Sequence, residues 1–480
     1  MRNFLIPSLL FFIVSFSFGQ NHITTFDFGQ TPQALMLNPS YDMNAQYHIT
    51  IPILGSHKIS AESSGMTAYD LFSKNNIPFI DKIKNTAYQL KSKDYLLVNQ
   101  KMEIFNIGQR IKRDYYLSYG MYQETDLYST LPTEMLKLFF EGTSISGKAY
   151  AINDFSIQAN VLTVYHIGLQ TKYSKKTNIG GRLKLYNSPI EVYSSSNKGS
   201  IQTNFTDGIS HTHHLSDIDI KFKTGGIPIK FTEDDNVATD GDYYLLNVGG
   251  KEVNLERKFF VNNLLFGGSK GLGIDLGITH NIKRNLTTAV SINNLGFIFH
   301  NKLAQTYGYK GDYTTDALTI EYDPSNSLSY LDQIKESIDK EIPLEISNKG
   351  YLSLRPFQAH ASIVYALGVN RGNECNYYRN IENSAANKMG VLVYAQYRPG
   401  QIIYDANLFY ERNFANKVYA RVNYTINTYS YTNLGLSVAT QLGKFNMFVG
   451  INNILSLSNL AKSNNLGIQF GINIVSKKKL

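Results

Sequence analysis

Four charged residues in neighbouring segments offer the clearest chemistry: Asp405, Glu411, Lys417 and Arg421. Each falls on the polar side of a two-residue alternation, so in strands all four side chains point to one face. Two chemistries suit such a set. One is a charged constriction that selects solutes by size and charge; the other is a salt-bridge network that fills and stiffens an interior. Asp275, on the polar side of an earlier alternation, belongs with them.

Other clusters say less. His211, His213 and His214, with Asp217 and Asp219 close behind, carry donors suited to a divalent transition metal. Adjacent histidines in a polar connection more often do nothing specific, so the expectation is no metal and no cofactor. Glu233, Asp234, Asp235, Asp240 and Asp242 lack the spacing of a calcium loop. The single Cys375 excludes an intramolecular disulfide and a cysteine-based metal site. No G-x-S-x-G elbow, H-E-x-x-H pair or Walker loop occurs, so the chain reads as a non-enzyme. A barrel enzyme would need a Ser–His pair meeting at the lipid interface, and nothing here singles one out.

The elements that must position these residues are long alternating strands. Leu466, Ile468, Phe470, Ile472 and Ile474 form one face of the last segment; Asn465, Gly467, Gln469, Gly471 and Asn473 form the other. Ile402, Tyr404, Ala406, Leu408 and Tyr410 oppose Ile403, Asp405, Asn407, Phe409 and Glu411. Leu272, Ile274, Leu276 and Ile278 oppose Gly271, Gly273, Asp275, Gly277 and Thr279. These segments exceed the strands of soluble domains and suit tilted crossing of a bilayer. After the N-terminus no apolar run reaches the roughly 20 residues of a spanning helix, which leaves a closed barrel as the way across.

The fold expected is therefore all-β: one transmembrane antiparallel β-barrel of about fourteen strands, with a few short helices in the N-terminal part and the extracellular loops. Residues 1–19 read as a signal peptide, with Arg2, an apolar run, and cleavage between Gly19 and Gln20. Residues 20–46 follow as an N-terminal segment and candidate plug, and residues 47–480 as the barrel. An even strand count puts both termini in the periplasm, with short turns near 174–178, 281–285, 412–417 and 441–445 on that side. Long loops near 195–256 and 299–350 then lie outside, while 370–388 breaks the rule by being long on the periplasmic side. Helical patterns span 132–141 and 328–341; each is read as a cap, with the first also able to plug the lumen. Abundant Tyr (34) and Phe (27), with no Trp, suit interfacial girdles. The formal charge of +8 is scattered, which favours anionic lipid headgroups over nucleic acid.

Residues 31–41 (TPQALMLNPSY) and 51–55 (IPILG) precede 271–277 (GLGIDLG), 292–298 (INNLGFI), 450–454 (GINNI) and 471–475 (GINIV). Together they resemble a family of outer-membrane barrels with an early LNPA motif, distantly similar to fatty-acid-transporter (FadL-like) and PorV-like barrels. Some of the latter serve type 9 secretion. The resemblance spans about 24–475 and departs at Ser40, where Ala is usual, and at His300, where an aromatic is commoner. It implies location and architecture, and supplies no substrate or catalytic residue. Read physically, Asn38 and Pro39 make a turn that sets how the N-terminal segment enters the barrel. Gly271, Gly273 and Gly277 clear one strand face for curvature or for close approach of a plug.

The function expected is a channel or transporter for small or hydrophobic solutes, FadL-like by resemblance, with residues 26–37 as hatch. The alternative is a non-conducting accessory subunit of a secretion or assembly machine, its long loops serving as docking surface. Partners expected are outer-membrane lipid and lipopolysaccharide, with other envelope proteins in the second case.

Overall fold

The computed structural model describes residues 25–29, 31–141, 146–153, 155–206, 210–226, 239–240, 243–248, 251–255, 262–315, 344–369 and 385–477. The expected signal peptide, Cys375 and the expected 328–341 helix lie outside these residues, as does most of the 370–388 connection.

Fourteen antiparallel strands close into a ring. They are β1 (Ala45–Thr50, resumed at His57–Ser63), β2 (Tyr95–Lys112), β3 (Tyr115–Thr130), β4 (Ile157–Lys172) and β5 (Thr177–Ser194). Then come β6 (Ser269–Lys283), β7 (Leu286–His300), β8 (Tyr351–Leu354, resumed at Gln358–Val369), β9 (Ala385–Arg398) and β10 (Gln401–Phe414). Last are β11 (Val418–Asn427), β12 (Asn433–Leu442), β13 (Phe445–Ile451) and β14 (Asn465–Lys477). Each pairs with its neighbours in sequence, and β14 returns to β1 through Thr50↔Asn473 and His57↔Phe470. Closure leaves no edge strand.

The side-chain alternation runs inside-out relative to a soluble barrel. On β10, Ile402, Tyr404 and Leu408 are about 60% exposed, while Asp405 and Glu411 on the opposite face are 1% exposed. The same holds on β6, where Leu272, Leu276 and Ile278 face out and Asp275 is fully enclosed. The apolar side chains that would make a soluble core lie instead on the outer surface, and the polar ones face the lumen.

Turns at 113–114, 173–176, 284–285, 415–417 and 443–444 gather at one end, with the start of β1 and the end of β14. Val369 and Ala385, the facing ends of β8 and β9, also lie at this end. At the other end the long connections begin, and part of their described length is regular strand. Lys198–Thr206, Ser210–Gly225 and Gln305–Thr315 extend the wall as a sheet joined to β5 through Glu191↔Gly225.

The short helices are α1 (Ala34–Leu37), α2 (Ala68–Phe72), α3 (Phe79–Gln89) and α4 (Thr133–Glu141). Helix α4, expected at 132–141, packs Leu138 against Tyr150, Ile201, Leu215 and Ile218 of the loop sheet, so it covers that sheet rather than filling the lumen. Helices α2 and α3 fall in the N-terminal part, where short helices were expected, at positions the sequence reading did not mark. A capping box in which Thr67 and Asp70 bond reciprocally starts α2, and Pro78 precedes α3.

A sealed lumen as the candidate functional site

Residues 25–29 and 31–44 take no part in the wall. They lie inside the ring, in its short-turn half, with almost every side chain buried. The wall holds them by side-chain bonds, some onto their backbone carbonyls and others onto their side chains, Asp42 among them, which pairs with Lys172 at 3.1 Å. Arg421 donates to Phe26 O (2.8 Å) and Asp27 O (3.1 Å), and Arg182 to Leu35 O (2.8 Å). Ser291 and Asn293 both donate to Leu37 O at 2.7 Å, and Arg110 reaches Met43 O and, at the start of β1, Ala45 O. Gln33 bonds Glu103 (2.8 Å), Asn473 (3.0 Å) and the carbonyl of Gly55, which the break in β1 turns inward. Apolar contacts complete the seat: Phe26 with Ala289, Leu392 and Tyr394, and Met36 with Tyr122, Leu162 and Tyr186.

The Asn38–Pro39 turn meets the wall at its closest approach. Asn38 accepts from Ser40 through both the backbone N–H (3.1 Å) and the hydroxyl (2.6 Å), closing a local turn. Its amide donates to Asp27 and to Thr279 of β6. Opposite stand Gly180 and Gly277, cross-strand partners on β5 and β6. A Cβ on Gly180 would sit 2.0 Å from Pro39 O, and one on Gly277 would sit 2.8 Å from Asn38 Oδ1. Gly273 leaves room for the Tyr186 ring instead, and Gly271 packs against the β7 backbone at Phe297.

Of the expected lumen charges, Glu411 and Arg421 form one tight pair, with Nε at 3.0 Å and a second nitrogen at 2.7 Å from Glu411 Oε2. Lys388 approaches Glu411 at 3.5 Å, and the rings of Phe28 and Phe409 sandwich the guanidinium. Asp405 is buried on the lumen face of β10. Asp275 is bound by Lys184 (2.7 Å) and Arg182 (3.4 Å) and accepts the Asn294 backbone N–H (2.7 Å). That N–H is free because Asn294 sits in a bulge with φ +62°, which turns both Asn293 and Asn294 inward. Lys417 is a correction. It lies exposed in the 415–417 turn, because β10 ends at Phe414 and β11 starts at Val418.

Towards the long-loop end the lumen holds charges the sequence reading did not single out. Arg398 of β9 bonds Asp126 of β3 across the interior, and Arg355, at the break in β8, bonds Glu124 of β3 at 2.7 Å. These side chains lie among inward-facing tyrosines (Tyr122, Tyr128, Tyr186, Tyr394), which blur the polar face of their strands. Removing either partner of such a pair leaves an uncompensated buried charge, so the pairs tie distant strands together.

Two further groups bear on chemistry. His213 and His214 point to opposite faces of one strand, His213 bonding Thr203 and His214 bonding Thr314, so they do not converge on an ion. Among the described residues no cluster of metal-binding side chains occurs. His300, Ser353 and Glu191 do meet inside the wall. The His300 Nε2 contacts both Ser353 Oγ (3.0 Å) and Glu191, so one nitrogen serves both partners. A nucleophile–base relay needs the two ring nitrogens divided between them. His300 is also fully enclosed beneath Tyr351, a structural arrangement.

Residues 39–452 match a family of unknown function (DUF5723). The chain belongs to that family. No curated protein matches it. Among solved structures, a Pseudomonas aeruginosa FadL homologue is 8% identical with a TM-score of 0.41, covering 96% of this chain and 100% of its own. The Ralstonia pickettii toluene transporter TbuX is 10% identical with a TM-score of 0.38, covering 92% of each chain. At these scores the function has to be read from the chain's own lumen.

Proposed function

We propose that this member of the family is an outer-membrane barrel that works as a gated channel, closed at rest by its N-terminal segment. The apolar outer face supports the membrane assignment: a continuous belt of exposed Leu, Ile, Val, Phe and Tyr far exceeds what a water-soluble surface carries. With an even strand number the short-turn end faces the periplasm and the long-loop end faces out. The plug then closes the periplasmic half.

One observation carries the gating reading. The described residues of 25–44 are held by side-chain bonds, some to their carbonyls and others to their own side chains, with no ladder bond to a strand among them. Such a seat is separable from the ring without breaking any β pairing. A transported solute of small size would pass along the Gly- and Asn-lined wall that the plug vacates.

A second reading, a non-conducting accessory subunit, draws on a different observation. The ion pairs above the plug are buried as well, and α2–α3 present exposed Tyr69, Phe72, Ile77 and Phe79 at the outer end. Liposome swelling separates the two. Full-length protein should admit a small sugar slowly or not at all, and a variant lacking residues 25–41 should admit it readily. If that variant keeps the heat-modifiable mobility of a folded barrel and still admits nothing, the accessory role replaces the channel.

A further inference from the structure

At the long-loop end a cavity of about 670 Å³ opens where β8 breaks at Pro356 and the β9–β10 hairpin stops at Pro399–Gly400. Lys198, Lys221 and Lys223 of the loop sheet line its inner side, with Tyr193 beside them. Its outer rim is made by Leu352 and Leu354, which are 54% and 65% exposed and face outwards with the rest of the apolar surface. The cavity thus runs from the mouth of the barrel over the edge of the wall.

Its charge is unbalanced. Lys221 bonds Asp219 at 2.7 Å, and Arg355 is committed to Glu124. Lys198 and Lys223 make no ion pair among the described residues; Lys223 lies over the rings of Tyr193 and Tyr351 at 6.0 and 5.4 Å. Cation–π contact orients an ammonium without cancelling its charge. A soluble anion would use the lysines and leave the leucine rim bare. A neutral lipid would cover the rim and leave the ammonium groups unmatched. An anionic amphiphile uses both.

We propose that this cavity is a binding site for a lipid of net negative charge from the surrounding leaflet, its phosphate on Lys198, Lys221 and Lys223 and its acyl chains along Leu352 and Leu354. Three flexible ammonium groups can converge on one phosphate as point charges. The site rests on the membrane reading above and not on conduction, because it is complete in the closed protein.

Native mass spectrometry of the full-length protein, equilibrated in detergent with dioleoyl phosphatidic acid and dioleoyl phosphatidylcholine, tests it. Phosphatidic acid should be retained about ten-fold more than phosphatidylcholine. The triple variant Lys198→Gln, Lys221→Gln, Lys223→Gln should lose that preference, and Lys175→Gln with Lys176→Gln, at the opposite end, should keep it. Equal retention of the two lipids, or an unchanged preference in the triple variant, overturns the site. Displacement of the lipid by millimolar inorganic phosphate overturns its lipid source. Heat-modifiable mobility reports folding in every variant. A wild-type chain that stays soluble without detergent contradicts the membrane reading itself, whereas silence in liposome swelling touches only conduction.

Discussion

Arg421 is the residue whose loss should open the barrel most directly. Its guanidinium donates to two plug carbonyls, Phe26 O at 2.8 Å and Asp27 O at 3.1 Å, and is held for that task by Glu411. Hydrogen bonds from a charged donor contribute about 1.5–3 kcal/mol each. Taking the low end for both, Arg421→Gln weakens the seat by about 3 kcal/mol, since a neutral amide cannot reach both carbonyls. At about 1.4 kcal/mol per decade, that raises the unplugged population about a hundred-fold. The single change also leaves Glu411 with only Lys388, at 3.5 Å, as cation. The double variant Arg421→Gln, Glu411→Gln removes that buried charge, and Glu411→Gln alone, which strips Lys388 of its counter-charge in the same way, is the control that isolates the plug effect. The assay is single-channel recording in planar bilayers, scoring opening frequency against wild type. Folded double-variant barrels that open no more often than wild type would refute the claim that these bonds hold the gate.

Three other perturbations follow from the same geometry. Gly180→Val should unseat the Asn38–Pro39 turn, because its Cβ falls 2.0 Å from Pro39 O; protease added from the short-turn side should then cut the N-terminal segment faster than in wild type. Asp275→Asn strips the counter-charge from Lys184 and Arg182, and should destabilise the barrel by about 3–5 kcal/mol, read as a lower urea midpoint in detergent. Outside the membrane, Glu141 joins α4 to α3 through Tyr88 and is also bonded by Lys148 and Tyr150. Burial pushes its carboxyl up, but these hydrogen bonds outweigh that and hold it below the usual carboxylate range. A lowered folded value means the clamp is intact above the ordinary carboxylate value near about 4 and fails as pH falls through the folded one. A spin label at Asn85 should therefore keep constant mobility from neutral pH down to about 5 and loosen only below about 4.

How much of this was legible in the sequence depended on whether alternation survived. On β6, β10, β11 and β14 the two-residue period runs unbroken through the assigned faces, and the inward residues there, Asp275, Glu411 and Arg421 among them, could be placed by parity. Lys417 failed because parity says nothing about where a strand ends; the turn took it. The Ser210–Gly225 strand was hidden by a bulge: Asp217 has φ +54°, so Leu215 and Ile218, three apart, are both buried and the period breaks. Glu124 and Asp126 went unmarked because Tyr116, Tyr122 and Tyr128 share their inward face, mimicking an apolar one. Gly180 was missed for a simpler reason. Its partner in the close approach, Pro39, lies far away in sequence, and no local pattern links them.

The most direct measurement is single-channel current through the barrel with and without its N-terminal segment. Full-length protein should stay closed, a variant lacking residues 25–41 should open steadily, and a synthetic peptide of residues 25–44 should block it again when added from the short-turn side alone. Folded deletion barrels that remain silent, or a block equally effective from both sides, would contradict a lumen gated by that segment.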